Sequence, residues 1–365
     1  MKQVLIKPLW RFGLQNRLWD NIYPWSMQKW RACAESLGVR MDSWDMMPLD
    51  QADCVWFMDL PDTRMEYEDA RRRARPGTPF VLQVMETPAG RSQNFEPKNQ
   101  ALFDYIVTYQ QQVRHTDHCI PYRLPHSLGG FHGEHVPLEQ RKCLVMVNSN
   151  RVEGWFAPRQ PGLVGLPGLG RHLAGWHMPL WSWACPARGE LYSWRRSFAR
   201  EAEKTSQQAL DIIGYNWGCE RVSWLAPYGR GPYKCRVSDG TDKKLQIISD
   251  YRFTISVENY RGRHDYISEK IFDPLVAGSV PVYLGDENIT RVVPKNMIVD
   301  VRDFNSQREL LRYLAGCSKS EWQGYYDAGQ AFLKSDVARE FSTDTFVHKM
   351  NGVLLKAITE NCDSN

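Results

Sequence analysis

The chain has 365 residues, too many for one small domain and comfortable for two. An apolar fraction of 42%, with 14 Trp, 16 Tyr and 14 Phe, supplies a substantial core, and a charged fraction of 24% is ordinary for a globular protein. The formal charge of +4 is small and dispersed, with no long Lys/Arg block, which disfavours a nucleic-acid partner and leaves room for an anionic ligand or an anionic membrane surface.

In chain order, QVLIKPL (3–9), DCVWFMDL (53–60), PFVLQVME (79–86) and DYIVTYQ (104–110) read as strands of one sheet, with a helix over about 23–37 between the first two. LVMVNSN (144–150), LDIIGYN (210–216), RFTISVEN (252–259), VPVYLG (280–285) and NMIVDV (296–301) read as strands of a second. Helical interludes between β-branched and aromatic runs argue for α/β units and parallel sheets. The linker falls in the Gly-, Pro-, His- and charge-rich stretch 124–142, and helical patterns follow near 306–315, 318–333 and 345–358. The expected organisation is a first lobe over 1–140, a second over 141–340 and a helical tail over 341–365, with a cleft between the lobes.

Nine cysteines, an odd number without a C-x-x-C pair, read as free thiols in a reducing compartment. MKQVLIKPLWRFG is too short an apolar run for a signal peptide, and no stretch approaches the roughly eighteen apolar residues of a span. The expectation is a cytoplasmic protein, with peripheral contact at the inner membrane surface as an extension of it. Segment 151–194 breaks the α/β rhythm. It is rich in Gly and Pro and holds five tryptophans, which suit either a satellite core or stacking on sugar faces. Its glycines miss the G-x-G-x-x-G spacing of a dinucleotide loop. His115, His118, Cys119, His126, His132 and His135 fit no closed zinc set and read as loop and linker residues. Lys243 and Lys244 read as solvated.

The front of the pattern HDYISEKIFDPLVAG (264–278) is the chemically unusual stretch. A helix beginning near Asp265 or Ser268, either of which can cap it, would present unpaired N–H groups at the carboxyl edge of a parallel sheet, where an anion is favoured. Lys270 adds a point charge, Glu269 can accept hydrogen bonds from sugar hydroxyls, and Tyr266 offers a flat wall with a polar tip. The group suits a ligand holding both phosphates and a sugar. On spacing alone, a solvated helix start with an ordinary neighbouring Glu–Lys pair is the better explanation.

VENYRGRHDYISEKIFDPLVAGSVPVYLGDENI, preceded by YRFTIS, resembles the signature of the α-1,3/4-fucosyltransferases of glycosyltransferase family 10. The matching positions are Phe253, Glu258, Asn259, Asp265, Tyr266, Glu269, Lys270, Ala277, Gly278, Val280, Pro281, Val282 and Gly285. Weaker echoes are KCLVMVNSN (142–150), the R-x-x-F helix beginning at Arg195, VLQVMETPAG (81–90) and Asp303-Phe304. Val257, Tyr260 and Asp273-Pro274 depart from the pattern, where Asn-Ala is usual at the last pair.

The resemblance implies an α/β fold of the GT-B type, two Rossmann-like lobes facing a central cleft with a helical C-terminus. It implies an inverting transfer of L-fucose from GDP-fucose to a hydroxyl of an oligosaccharide or glycolipid acceptor, without cofactor or metal. Glu86, at the end of a strand before a turn, would be the base; a turn-capping carboxylate is the alternative for it. Lys270 and Arg195, with Arg196 as its rival, would hold the departing diphosphate in place of a metal, and no D-x-D occurs in the chain. The nearest approach to one after an early strand is Asp59 and Asp62, split by Leu-Pro. Asn259, Tyr266 and Glu269 complete the expected donor site, with Glu258 in a structural role. A transferase using another GDP-deoxysugar, or a non-catalytic sugar-nucleotide or glycan-binding protein, are the alternatives.

Overall fold

The computed structural model describes residues 1–9, 11–20, 25–111, 116–128, 133, 136–148, 189–205, 210–214, 217, 241–263 and 265–360. The chain divides into two compact units, Met1–His126 with His264–Tyr266 and Glu340–Asn365, and Ser127–Arg263 with Ile267–Arg339.

The first unit is built on strands β1 (Lys2–Lys7), β2 (Val39–Ser43), β3 (Cys54–Met58), β4 (Phe80–Gln83), β5 (Tyr105–Thr108) and β6 (Cys119–Pro121), with helices α1 (Trp25–Ser36) and α2 (Arg64–Arg73). All pairings are parallel, in the order β2-β1-β3-β4-β5-β6. Every residue of β3, Cys-Val-Trp-Phe-Met, is buried, as a strand covered on both faces requires. Trp30 on α1 packs on Trp56 of β3 with ring centroids 4.9 Å apart. Each fully buried large apolar side chain of this kind contributes about 1.5–3 kcal/mol over leaving it in water.

The second unit holds β7 (Lys142–Val147), α3 (Tyr192–Lys204), β8 (Leu210–Ile213), α4 (Thr241–Ser249), β9 (Tyr251–Gly262), α5 (Glu269–Ala277), β10 (Val280–Asp286), β11 (Val299–Asp300), α6 (Gln307–Gly316) and α7 (Lys319–Leu333). The sheet is again wholly parallel, ordered β11-β10-β9-β7-β8. Its core joins Phe198 of α3 to Phe253, Ile255 and Val257 of β9, Val282 of β10 and Leu310 of α6. A capping box at Ser318 and Glu321 starts α7.

The last helix, α8 (Thr343–Thr359), belongs to the first unit rather than standing apart as a tail. Phe346, Val347, Met350 and Leu354 are buried in that unit's core, and Trp30 Nε1 donates to Asn351 Oδ1 at 3.0 Å. The five described cysteines, 33, 54, 119, 143 and 317, are free thiols. No helix among the described residues is long and apolar enough to cross a membrane. The expected Trp-rich segment lies, over 151–188, outside the described residues, as do His115, His132 and His135.

Renumbered within each unit, the strands of both sheets run 2-1-3-4-5, the first sheet carrying one more at its edge. Strand order therefore reverses between β1 and β3 and again between β7 and β9. In doubly wound sheets ligands bind beyond the carboxyl ends of the strands at such a reversal.

Candidate active site

In the second unit, β9 carries Glu258 and Asn259 in its carboxyl-terminal half, just past the regular pairing with β10 that runs to Val257. Glu258 is completely buried. Its Oε1 accepts from the Ser268 amide at 2.9 Å and its Oε2 from the Ser268 hydroxyl at 2.6 Å. Ser268, and not Asp265, is the N-cap of α5, its hydroxyl accepting from the Lys270 amide. Lys270 Nζ is drawn into the same knot, 3.6 Å from Glu258 Oε2, 3.3 Å from Ser268 Oγ and 3.2 Å from Glu269 Oε1. Burial pushes the Glu258 carboxyl up, and Lys270 pulls it part of the way back. The buried carboxylate thus orients the cap, and through it the ammonium group at the front of α5.

Gly285 of β10 makes room for this knot. A Cβ there would lie 2.5 Å from Glu258 Cγ and 2.5 Å from the Tyr283 hydroxyl, both in the interior. Only a residue without a side chain leaves Glu258 where it is.

Arg195, on the first turn of α3, is buried at 2% exposure. Its Nη2 donates to the Val257 carbonyl and, at 2.9 Å, to Asn259 Oδ1. Its Nε is buried without a hydrogen-bond partner among the described residues. Burial lowers the pKa of Arg195; the Tyr192 hydroxyl and the charges of Glu258, Glu269 and Glu190 oppose that. The side chain remains a cation. Arg196, its rival, is also buried. Asn259 of β9 is tied to the start of α3 by Leu191 N to Asn259 O at 3.2 Å, and Glu190 accepts from Ser193 N at 3.0 Å. The second unit therefore gathers Arg195, Asn259, Glu269 and Lys270 about one buried carboxylate.

Lys244 of α4 is not solvated. Its Nζ lies 2.6 Å from Asp273 Oδ2 and 3.8 Å from Glu269 Oε1, with a quarter of its side chain exposed. Burial alone would lower its pKa, but Asp273 and Glu269 raise it above the ordinary lysine range. The sequence reading took the lysine pair by its neighbours in the chain. The carboxylates that hold Lys244 come from α5, 25 and more positions away, where Asp273 stands in place of the usual Asn. Lys243 is exposed as expected.

Tyr266 and Glu86 are in the first unit. Tyr266 packs edge-to-face on Tyr109, centroids 5.2 Å apart, and the Tyr109 hydroxyl donates to the Glu86 carbonyl at 3.1 Å. Asp265, with φ of 57°, accepts from Gln111 N at 3.0 Å. Glu86 follows β4 and is half-buried, and the turn TPAG begins with Thr87 capping a single helical turn, Pro88–Arg91. Its carboxylate leans towards Gly90, where an added Cβ would meet Glu86 Oε2 at 3.2 Å.

Asp59, read in the sequence only as half of a failed metal motif, sits directly beneath Glu86. It is fully buried at the end of β3 with φ of 61°. Its Oδ1 accepts from Met85 N at 2.6 Å and Asn94 Nδ2 at 2.7 Å, and its Oδ2 from Glu86 N at 3.1 Å. Lys7, at the end of β1, is also buried, 4.0 Å from Glu66, and burial lowers its pKa. Residue order shows an acid following the strand at Asp59, but nothing in it reveals the left-handed φ. Among the described residues no three His, Cys, Asp or Glu side chains are grouped to hold a metal ion.

Residues 221–328 match the model of glycosyltransferase family 10 (fucosyltransferase), C-terminal part. Human alpha-(1,3)-fucosyltransferase 7 is 44% identical over 85 residues, covering 22% of this chain and 25% of that one. The cattle 4-galactosyl-N-acetylglucosaminide 3-alpha-L-fucosyltransferase 9 is 42% identical over 83 residues, covering 22% of this chain and 23% of that one. The chain thus spans about a quarter of the length of these curated relatives. The fold likeness is far broader. A crystal structure of an alpha1,3-fucosyltransferase superposes with a TM-score of 0.53 at 14% identity, covering 97% of this chain and 90% of that one. Anabaena HepE, solved with UDP and glucose, superposes with a TM-score of 0.55 at 11% identity, covering 97% of this chain and 99% of that one. The resemblance carried by the signature block is therefore a match to family 10 over residues 221–328, set in a chain whose two parallel α/β sheets have the GT-B fold.

Proposed function

We propose that this chain is a glycosyltransferase that moves L-fucose from GDP-fucose to a hydroxyl of a glycan acceptor with inversion at the anomeric carbon. The observation that carries the reading is the knot at the front of α5. A capped helix N-terminus, Lys270 and Glu269 lie within the segment that matches the fucosyltransferase model. Such a group favours an anionic leaving group beside a hydroxyl-bearing sugar.

In the proposed step Glu86 takes the proton from the acceptor hydroxyl as its oxygen forms a bond to the anomeric carbon. The bond from that carbon to the diphosphate breaks through an oxocarbenium-like state, and the electron pair leaves with GDP. Lys270 and Arg195 meet the growing diphosphate charge, and no metal or cofactor is required of the reaction. Arg195 would turn its guanidinium from Asn259 towards the phosphates, since its hydrogen bonds here are internal. Asn259, Tyr266 and Glu269 hold the nucleotide and the sugar. The protein would act in the cytoplasm on an oligosaccharide or glycolipid.

Replacing Glu86 by Gln tests the assignment. The expected result is loss of transfer with GDP affinity retained in calorimetry. Transfer that survives in E86Q removes Glu86 as the base, and failure of the native protein to bind GDP removes the enzyme reading altogether. Hydrolysis of a panel of GDP-sugars assigns the donor.

A further inference from the structure

We infer that Asp59 and Gly90 are positioning residues that seat Glu86, the first by holding its peptide from beneath and the second by leaving room for its carboxylate. The inference rests on Glu86 being the base. Three features of the first unit carry it.

Asp59 is a non-glycine residue held at φ of 61° without any exposure. Such a backbone is uncommon for a residue with a side chain and persists only where its surroundings enforce it, most often at working sites. Here the enforcement is visible. Asp59 N donates to Gln83 O at 2.8 Å, Leu60 N donates to Asn94 Oδ1 at 3.0 Å, and Asn94 returns its amide to the Asp59 carboxylate. The second feature is what the carboxylate does. It accepts the consecutive amides of Met85 and Glu86, so the path of the chain leaving β4 is set by this one side chain. The third is Gly90, over which Glu86 Oε2 lies closer than most side chains would tolerate.

The seat also responds to protons. Burial, and then the charge of Glu86, push the Asp59 carboxyl up to about 7. Facing it are Glu86 and Arg91 beside β4, Lys7 at the end of β1, the Tyr122 hydroxyl and the uncharged Asn94. Oδ1 already takes two short donors, so a proton would settle on Oδ2 and oppose the Glu86 amide. The seat is therefore firm above the Asp59 pKa and slack below it.

The test is the dependence of kcat on pH for the full chain with GDP-fucose and a glycan acceptor. Asp59→Asn keeps the shape and tolerates the left-handed backbone, but fixes an amide where the proton would sit. The expected result is a fall in kcat of about tenfold to a hundredfold, the scale set by a small misplacement of a reacting group. The KM for donor is unchanged, and the component of the acid limb near pH 7 disappears. Asp59→Gly, which suits the backbone and removes the carboxylate, should lower kcat in the same way and serves if the Asn variant does not fold. Gly90→Ala should lower kcat with the pH profile intact. Variants at Asp59 with native circular dichroism, native kcat and the native acid limb overturn the inference, as does a Gly90→Ala enzyme with native kcat. Loss of transfer in E86Q alongside those outcomes leaves the base assignment standing and removes only the seat.

Discussion

The two sheets share one strand order, but the groups at their points of reversal are organised in opposite senses. In the second unit a buried carboxylate, Glu258, holds a cation: Lys270 is drawn in through Ser268, with Glu269 beside it. In the first unit a buried carboxylate, Asp59, holds backbone: two amides of the chain that carries Glu86. The same topology thus presents a positive group at one strand end and a negative one at the other. The difference lies in what the buried acid is paired with. A cation partner lets Glu258 stay at the front of a helix where phosphate would be welcome, whereas Asp59 has amide partners and, among the described residues, no hydrogen-bonded ammonium or guanidinium.

The sharpest way to break the comparison is to remove the cation. Lys270→Ala is expected to lower turnover by about 10²–10³, the scale for losing one preorganised stabiliser of developing charge. GDP affinity, read by calorimetry, should fall with it. Native turnover in Lys270→Ala would leave the second unit without a charge-holding role for α5. Glu258 would then be a buried acid capping a helix and nothing more.

A second prediction separates the two acids by stability. The folded Asp59 carboxyl is raised to about 7 from an ordinary 3.8, so its contribution to stability is full below the ordinary value and is lost as pH climbs through about 7. Asp59→Asn has no such loss. The difference in melting temperature, Asn variant minus native, should therefore grow between about pH 4 and about pH 7 and level off above it, a span worth a few kcal/mol at most. A difference that is flat with pH would mean that Asp59 is ionised throughout. A difference that grows as expected would mean that the firm seat coincides with the less stable protonation state, which is the usual direction of compromise at a working site.

Much of this was legible in the sequence, and the failures have physical causes. The central strands β1, β3, β4, β7 and β10 announce themselves because burial on both faces favours apolar runs, and β9 does so by its alternating Phe253, Ile255 and Val257. The edge strands β2 and β6 do not. Val-Arg-Met-Asp-Ser and Cys-Ile-Pro are short and mixed, and their place is fixed by pairing to a neighbour rather than by their own composition. At the site, the signature block pointed to Asn259, Glu269 and Lys270, which the fold gathers with Arg195. Asp59 and Lys244 escaped because their partners lie 25 to 35 positions away in the chain. Periodicity registers which face of an element is apolar. It carries no information about a carboxylate that meets an amide from another strand.

The smallest predicted effect tests whether the departure at Asp273 is an adaptation to Lys244. The two form a half-buried pair at 2.6 Å, with 24% and 15% of their side chains exposed. Lys244→Met should cost about 1–3 kcal/mol in denaturant unfolding, less than for a fully buried pair because solvent still reaches the lysine. It leaves Asp273 beside Glu269, where the carboxyl, already raised by burial, rises further. Asp273→Asn alone should cost less, since the amide still fills the space and Lys244 keeps Glu269 at 3.8 Å. If the pair evolved as a unit, the double variant recovers most of the loss, giving a coupling energy of at least about 0.5 kcal/mol. Strict additivity would show that Lys244 and Asp273 are neighbours without being partners. The positioning of Glu269 would then owe nothing to α4.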